Sequence, residues 1–303
     1  MSSAAHAISE QDTLLPLISA FLAKRGNIRG LCIRFQISEH NIGVVLFINI
    51  RRRYGRSLIE VYAIIQNSAQ THSFSTILPY SSLQIIDHRT AKIGNMSIDT
   101  KGTYGSIKDS SAIGLFSWDF ALDPQEPIID PQVFGAFQPF DLRMMTEMAL
   151  ISGSVTMQSQ RISFSGESAV VSVYYGRRLP SKWLWLTMND INRTGYAIDF
   201  VFFRSHIFGA PLLQFDVGYL LLRTPDSADL VMAPLTGDVT VNDRNGRIEI
   251  ITKKYKKTIG AIVFSVGESG MTLLPDNVHV NIFAQGSIGN VQLENKMIVL
   301  KKI

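Results

Sequence analysis

The run Trp183-Leu184-Trp185-Leu186-Thr187-Met188-Asn189 carries side chains suited to holding a ligand. Successive residues of an extended strand point to opposite faces, so Trp183, Trp185, Thr187 and Asn189 share one face and Leu184, Leu186 and Met188 the other. Two indoles, a hydroxyl and an amide suit a mainly apolar cavity with a few polar anchors. The alternative is a pair of tryptophans packed in a core with Asn189 at a turn. Asp199 stands out because it interrupts the apolar strand Tyr196–Phe203, either as a functional carboxylate or as one facing an edge or turn. Other chemistries lack their residues. There is no phosphate-cradling Walker pattern, no GxGxxG after a strand and no GxSxG elbow, which removes nucleotide chemistry and serine hydrolysis. The six histidines lie far apart, and none pairs at short spacing with another or with the single cysteine, Cys32. No metal and no cofactor is therefore expected.

These residues need elements to position them. The 303-residue chain is 46% apolar and 18% charged, enough for a sizeable core in one large domain or two ordinary ones. Its net charge of +4 is too mild for a nucleic-acid binder. Arg51-Arg52-Arg53 and Lys253-Lys254-Tyr255-Lys256-Lys257 each end an apolar strand, as solvated turns, guards against edge pairing, or an attraction for an acidic partner. No apolar run approaches the ~18 residues of a spanning helix, so no spanning membrane segment is expected. Even Phe200–Leu222 is broken by Arg204, His206 and Asp216.

Leu14, Leu17, Ile18, Phe21 and Leu22 fall at helical spacing, and the pattern predicts a short helix over Thr13–Lys24. The segment lacks a basic lead and follows Glu10 and Asp12, so it reads as mature chain without a signal peptide. With a lone cysteine, the expected location is cytoplasmic. After Gly26 the period becomes two. Segments rich in β-branched and aromatic residues recur to the end of the chain, including Cys32–Ile37, Gly43–Ile50, Ser57–Gln66, Ala169–Tyr175, Trp183–Asn189 and Tyr196–Arg204. They predict an all-β, mainly antiparallel protein. Four of the eleven prolines fall within Asp123–Pro139, which suggests a division into 1–130 and 131–303. Ile93-Gly94-Asn95-Met96 and Ile288-Gly289-Asn290-Val291 echo each other, as a faint duplication or as two similar turns.

The order of segments from Ser152 to Asn189 resembles the tocopherol-cyclase-like proteins. Their pattern has a Ser-Gly-x-hydrophobic strand, a Tyr-x-Glu-x-Asp-x-Gly-x-x-Phe-Pro strand and turn, then aromatic-x-Trp-x-Gln-x-Asn. Here the matching pieces are Ser152-Gly153-Ser154-Val155, Val170–Pro180 and Trp183–Asn189. Gly30–Phe35, Ala91–Asp99 and the strand opening at Ile113 are similar to other strands of that family. The resemblance implies two lipocalin-like antiparallel β-barrels and a pocket for a long hydrophobic substrate, in a class that includes carotenoid hydratases, tocopherol cyclases and Diels–Alder cyclases. It also exposes departures. Ser172 and Tyr174 stand where the family has Glu and Asp, Leu31 replaces an aromatic, Thr187 replaces a glutamine, and Met144–Ile151 lacks the usual histidine. Neither Ser172 nor Tyr174 is a strong acid at neutral pH, so protonation of an alkene loses its donor pair.

The expected activity is a pericyclic, Diels–Alder-like cyclisation of a hydrophobic polyene or polyketide-type molecule in secondary metabolism, driven by folding and orienting the substrate. Tyr174, Asn189 and Asp199 are the candidate catalytic residues. Ser172, Trp183, Trp185, Thr187, Trp118 and Asp141 are the candidate substrate contacts. The alternatives are an acid-catalysed cyclase or hydratase of an isoprenoid, using Asp119, Asp141, Glu147 or Asp199, and a lipid- or polyketide-binding protein without catalysis. Sequence sets no oligomeric state.

Overall fold

The computed structural model describes Leu17, Phe21 and most of residues 27–302; the longest stretches outside the description are 1–16, 126–141 and 207–213, and few side chains beyond residue 204 are included. Its described elements are nearly all strands. The first eleven are β1 (Ile28–Ile37), β2 (Ile42–Arg53), β3 (Arg56–Gln66), β4 (Thr71–Pro79), β5 (Leu83–Ile85), β6 (Thr90–Ile93), β7 (Met96–Asp99), β8 (Gly102–Lys108), β9 (Leu115–Pro124), β10 (Leu142–Met157) and β11 (Gln160–Gly176). They form one antiparallel sheet in the order β4-β3-β2-β1-β11-β10-β9-β8-β7-β6-β5. The sheet curls: Phe74 of β4 stacks on Phe116 of β9 at 5.3 Å between ring centroids, although six strand-to-strand steps separate β4 from β9 along the sheet. Curling encloses a core that includes Leu31, Ile33, Phe35, Val61, Trp118, Phe120 and Val171.

A second, ten-stranded antiparallel sheet begins with β12 (Trp183–Asp190) and β13 (Tyr196–His206). β12 lies between β13 and the strand Val291–Lys302. The architecture is all-β, as the period-two pattern predicts. Sheet membership changes within residues 177–182, not at 130/131, because β10 and β11 pair with β9 and β1 of the first sheet. The proline-rich stretch that suggested the earlier division lies mostly outside the described residues. The short helix expected over Thr13–Lys24 lies mostly outside the described residues; the two that are described, Leu17 and Phe21, are helical and fully buried in the first core.

β11 is continuous where the sequence suggested two strands. Gly166 adopts φ +66° and its N–H donates to Ser152 Oγ at 2.9 Å, so a residue that reads as a turn is absorbed as an irregularity within the strand. Gly153 marks a second irregularity, at the register shift in β10. A Cβ there would lie 1.9 Å from the Asp119 carbonyl oxygen, so β9 can approach only a glycine. Ile93 and Ile288 each end a strand and pair with Met96 and Val291 of the next, which accords with the plainer of the two readings.

Candidate functional site

β1 serves two packing layers. Leu31, Ile33, Phe35 and Ile37 face the core of the curled sheet, while Ile28, Gly30, Cys32 and Arg34 alternate onto the opposite face. The hydrogen-bond ladder carries that second face sideways. Gly30 pairs with Asn49 and Tyr174, Cys32 with Phe47 and Ser172, and Arg34 with Val45 and Val170. On β10, Met144 and Thr146 continue the row beside Tyr174 and Ser172. The second sheet closes over this face with Trp185, Val201, Phe203 and Ile298, which join Cys32, Phe47, Met144 and Tyr174 in one buried cluster. Trp183 and Tyr62 pack at its margin. Parity places Leu184 and Leu186 opposite, across from Phe202 and Phe200.

At the centre of this seam is Arg34, only 1% exposed. Its guanidinium carbon lies 3.7 Å from the Trp185 ring centroid, a cation–π contact out of water. Arg34 Nη2 donates to Ser172 Oγ at 2.7 Å and to Asp199 Oδ1 at 3.4 Å. Asp199, fully buried, also accepts from Trp185 Nε1 and from Thr187 Oγ1, both at 3.0 Å. Ser172 and Thr146 share a further hydrogen bond of 2.9 Å between their hydroxyls. The interruption of an apolar strand by Asp199 is therefore an acceptor for three donors. Its Oδ1 holds Arg34, Trp185 and Thr187 in place rather than offering a proton.

A guanidinium has five N–H bonds, and Nη2 carries two of them. Among the described residues, Arg34 Nε and Nη1 have no hydrogen-bond partner, and neither has the buried Trp183 Nε1. Such donors are normally satisfied, because leaving one buried and unpaired costs about 1–3 kcal/mol. This region combines an apolar and aromatic wall with a fixed cation whose remaining N–H groups are unused. Guanidinium N–H groups of this kind are suited to an oxygen acceptor.

The structure brings together Ser172, Tyr174, Trp183, Trp185, Thr187 and Asp199 from the sequence candidates. Tyr174 donates its hydroxyl proton to Asn49 Oδ1 and meets Trp185 edge-on at 6.4 Å, so it supports the seam more than it offers a proton. Burial, with the nearby Cys32 thiol adding to it, pushes its ionisation well above the ordinary tyrosine range. Burial likewise pushes the Cys32 thiol up to about 12, with Arg34 opposing and Asp199 reinforcing the shift; the thiol stays protonated and unreactive. Asn189 lies within β12, not at a turn, and donates to the Ala169 carbonyl at 2.9 Å.

Other candidates lie elsewhere. Trp118 is buried in the core of the curled sheet, where it stacks on Phe116 and donates to Thr103 Oγ1 at 3.2 Å, so it is not part of the seam. Asp119 is exposed, and Asp141 lies outside the described residues. Glu147 faces the first core, paired with Val171, and is fully buried with neither carboxyl oxygen hydrogen-bonded. Burial alone raises its pKa to about 8, which keeps it neutral at pH 7. Sequence reasoning missed Arg34. Its strand, Cys32–Ile37, alternates polar with apolar residues and so did not mark it out.

No family model matches the chain, and no curated protein matches its sequence. Solved structures do. The AttH-like protein of Nitrosomonas europaea aligns with a TM-score of 0.63 at 10% identity over 99% of this chain and 98% of its own. Kievitone hydratase from Nectria haematococca gives 0.60 at 13% identity, over 99% and 94%. CghA gives 0.53 at 9% identity, over 91% and 87%. At these identities the likeness establishes a shared fold across nearly the whole of each chain. No helix among the described residues is long and apolar enough to cross a membrane.

Proposed function

We propose that this protein is a cyclase- or hydratase-type enzyme that takes a hydrophobic, carbonyl-bearing polyene or polyketide-like substrate into the seam between its two sheets. The observation that carries the reading is Arg34: a buried guanidinium fixed by Trp185, Ser172 and Asp199, with its Nε and Nη1 donors unused. A substrate carbonyl placed on those donors would be polarised, and a conjugated alkene attached to it would become a better dienophile. The aromatic wall would restrict the chain to reactive folds. A pericyclic closure needs no proton transfer, which accords with Ser172 and Tyr174 standing where an acidic pair would otherwise be. The likeness to a protein named a hydratase supports the class and does not select the reaction. Each sheet is proposed to form its own domain, and a cytoplasmic role in secondary metabolism is the proposed setting.

An acid-catalysed hydratase is the second reading, favoured by Glu147, a carboxyl that remains protonated at neutral pH. It faces the other layer of the first sheet, away from Arg34, so the two readings place chemistry on opposite faces of β10 and β11. The test offers purified protein a linear polyene bearing a conjugated ketone and the matching hydrocarbon. The Arg34 reading expects tryptophan quenching and turnover with the ketone only. Equal handling of both compounds, or turnover abolished by Glu147→Gln but not by Arg34→Lys, would reject it. Binding without turnover would leave a carrier.

A further inference from the structure

At one end of the curled sheet, charge and exposed apolar groups occur side by side. The β2–β3 hairpin closes with Arg53 directly opposite Arg56 and with Arg52 beside them; Arg52 and Arg56 are exposed. The exposed Arg52 and Arg56 give this end a positive charge. Arg51 is already paired with Glu60 at 3.2 Å. The adjoining strand β4 ends at Pro79 opposite Leu58, and the 3-10 turn Tyr80–Ser82 that follows packs against β3. Arg29, at the start of β1, donates to the Tyr80 hydroxyl at 3.0 Å and ties the turn to this end. Four large apolar residues there are open to solvent: Ile77 at 61%, Tyr80 at 41%, Ile85 at 53% and Ile86 at 56%. β4 and β5, which carry or flank them, are the two edge strands of the sheet. Residues 27–60 and 77–87 hold six arginines, one of them the buried Arg34, and three carboxylates, Glu39, Glu60 and Asp87, of which Glu39 lies at the far end of β1.

We propose that this rim docks on an anionic lipid surface, with Ile77, Ile85 and Ile86 entering the interface, Tyr80 at the headgroup level, and Arg52 and Arg56 on the lipid phosphates. A flat acidic protein would satisfy the arginines but leave separate aliphatic groups on two edge strands without a matching apolar partner. A lipid surface accepts both, because hydrocarbon and anionic headgroups lie within a few ångströms of depth. The binding is peripheral and reversible, and independent of the chemistry in the seam.

Flotation of the full-length protein with phosphatidylcholine vesicles, with and without phosphatidylserine at about one third, tests it. The wild type is expected to float with the anionic vesicles, to remain behind with the neutral ones, and to be released by 0.5 M salt. Each arginine near the surface strengthens binding about fivefold, so Arg52→Gln/Arg56→Gln should weaken it about thirtyfold. Ile85→Ser/Ile86→Ser should weaken it comparably although no charge changes. All four residues are exposed, and unchanged circular dichroism and thermal midpoints confirm that the variants fold. Failure to float with anionic vesicles overturns the proposal. So does retention on heparin that the isoleucine variant leaves unchanged while its vesicle binding is also unchanged, an outcome that assigns the rim to a soluble polyanion.

Discussion

Replacing both members of the buried pair at once separates what Arg34 does for the fold from what it does for a ligand. Arg34→Met alone strands the Asp199 carboxylate, and Asp199→Asn alone strands the guanidinium. Breaking one side of a buried ion pair typically costs about 3–5 kcal/mol, a large share of the roughly 5–15 kcal/mol that holds a domain together. In the double variant neither charge remains, and the asparagine Oδ1 still accepts from Trp185 Nε1 and Thr187 Oγ1. What is lost is mainly the guanidinium stacked 3.7 Å from the Trp185 ring centroid, worth about 2 kcal/mol when out of water. Removing the two unpaired donors, Nε and Nη1, offsets that loss, so the double variant should be at least about as stable as wild type, and the cycle should show a coupling of several kcal/mol. Urea denaturation followed by tryptophan fluorescence measures all four proteins. Ligand binding should behave differently. A hydrogen bond from a charged donor contributes about 1.5–3 kcal/mol, so the folded double variant should bind a conjugated polyene ketone ten- to a hundredfold more weakly and lose turnover. A double variant that folds, binds and turns over like wild type would refute the role given to Arg34 and leave the pair as a structural tether.

Glu147 supplies a prediction about pH. Its pKa is raised from 4.5 to about 8 by burial, so between those values the unfolded chain releases a proton that the folded chain keeps, and stability is full below pH 4.5 and falls as pH rises to 8. At pH 7 the penalty is about 3 kcal/mol, which Glu147→Met should remove; denaturation midpoints that track each other at pH 5 and pH 8 would contradict this. A Cβ on Gly30 would fall 2.2 Å from Tyr174 Cζ, so Gly30→Ala should cost about 1–3 kcal/mol and alter the near-ultraviolet dichroism of Tyr174 and Trp185. Asp119 is exposed, so Asp119→Asn should leave both turnover and its pH profile unchanged, whereas a large loss would return acid catalysis to β9.

What could be read from sequence followed from how local each signal was. The parity of Trp183–Asn189 survives intact, because alternation along one strand does not depend on its neighbours. Asp199 was visible because everything around it is apolar. Arg34 escaped because Cys32-Ile33-Arg34-Phe35-Gln36-Ile37 alternates polar with apolar in the manner of a strand with one wet face. Only the arrival of the second sheet makes that face dry, and nothing in β1 records it. The first half of β10 was missed for another reason. Leu142–Leu150 is rich in Met, Leu and Ala and has no β-branched residue besides Thr146, so its pairing with β11 is a tertiary outcome rather than a propensity. The change of sheet after β11 was not legible either, because prolines report breaks in regular structure and cannot report which sheet the next strand joins.

The seam also shows why an arginine at the middle of a strand is better evidence of function than one in a loop. The backbone of β1 is held on both sides by ladders to β2 and β11, and the side chain is held by an indole face, a serine hydroxyl and a carboxylate. Arg34 has no freedom to turn its remaining donors toward water, since the residue is 1% exposed. A purely structural ion pair would lower its cost by saturating both partners, as Asp199 does by collecting three donors at one oxygen. Among the described residues, Arg34 is left with two of its three nitrogens unpartnered, and Trp183 Nε1, on the same face of β12 as Trp185, is a third such donor. Each such group weakens the empty fold by about 1–3 kcal/mol, a penalty that hydrophobic side chains in the same positions would avoid. On the proposed role an oxygen acceptor on a ligand would remove it, so binding of a conjugated polyene ketone should raise the thermal midpoint of wild type more than that of the Arg34→Met/Asp199→Asn variant.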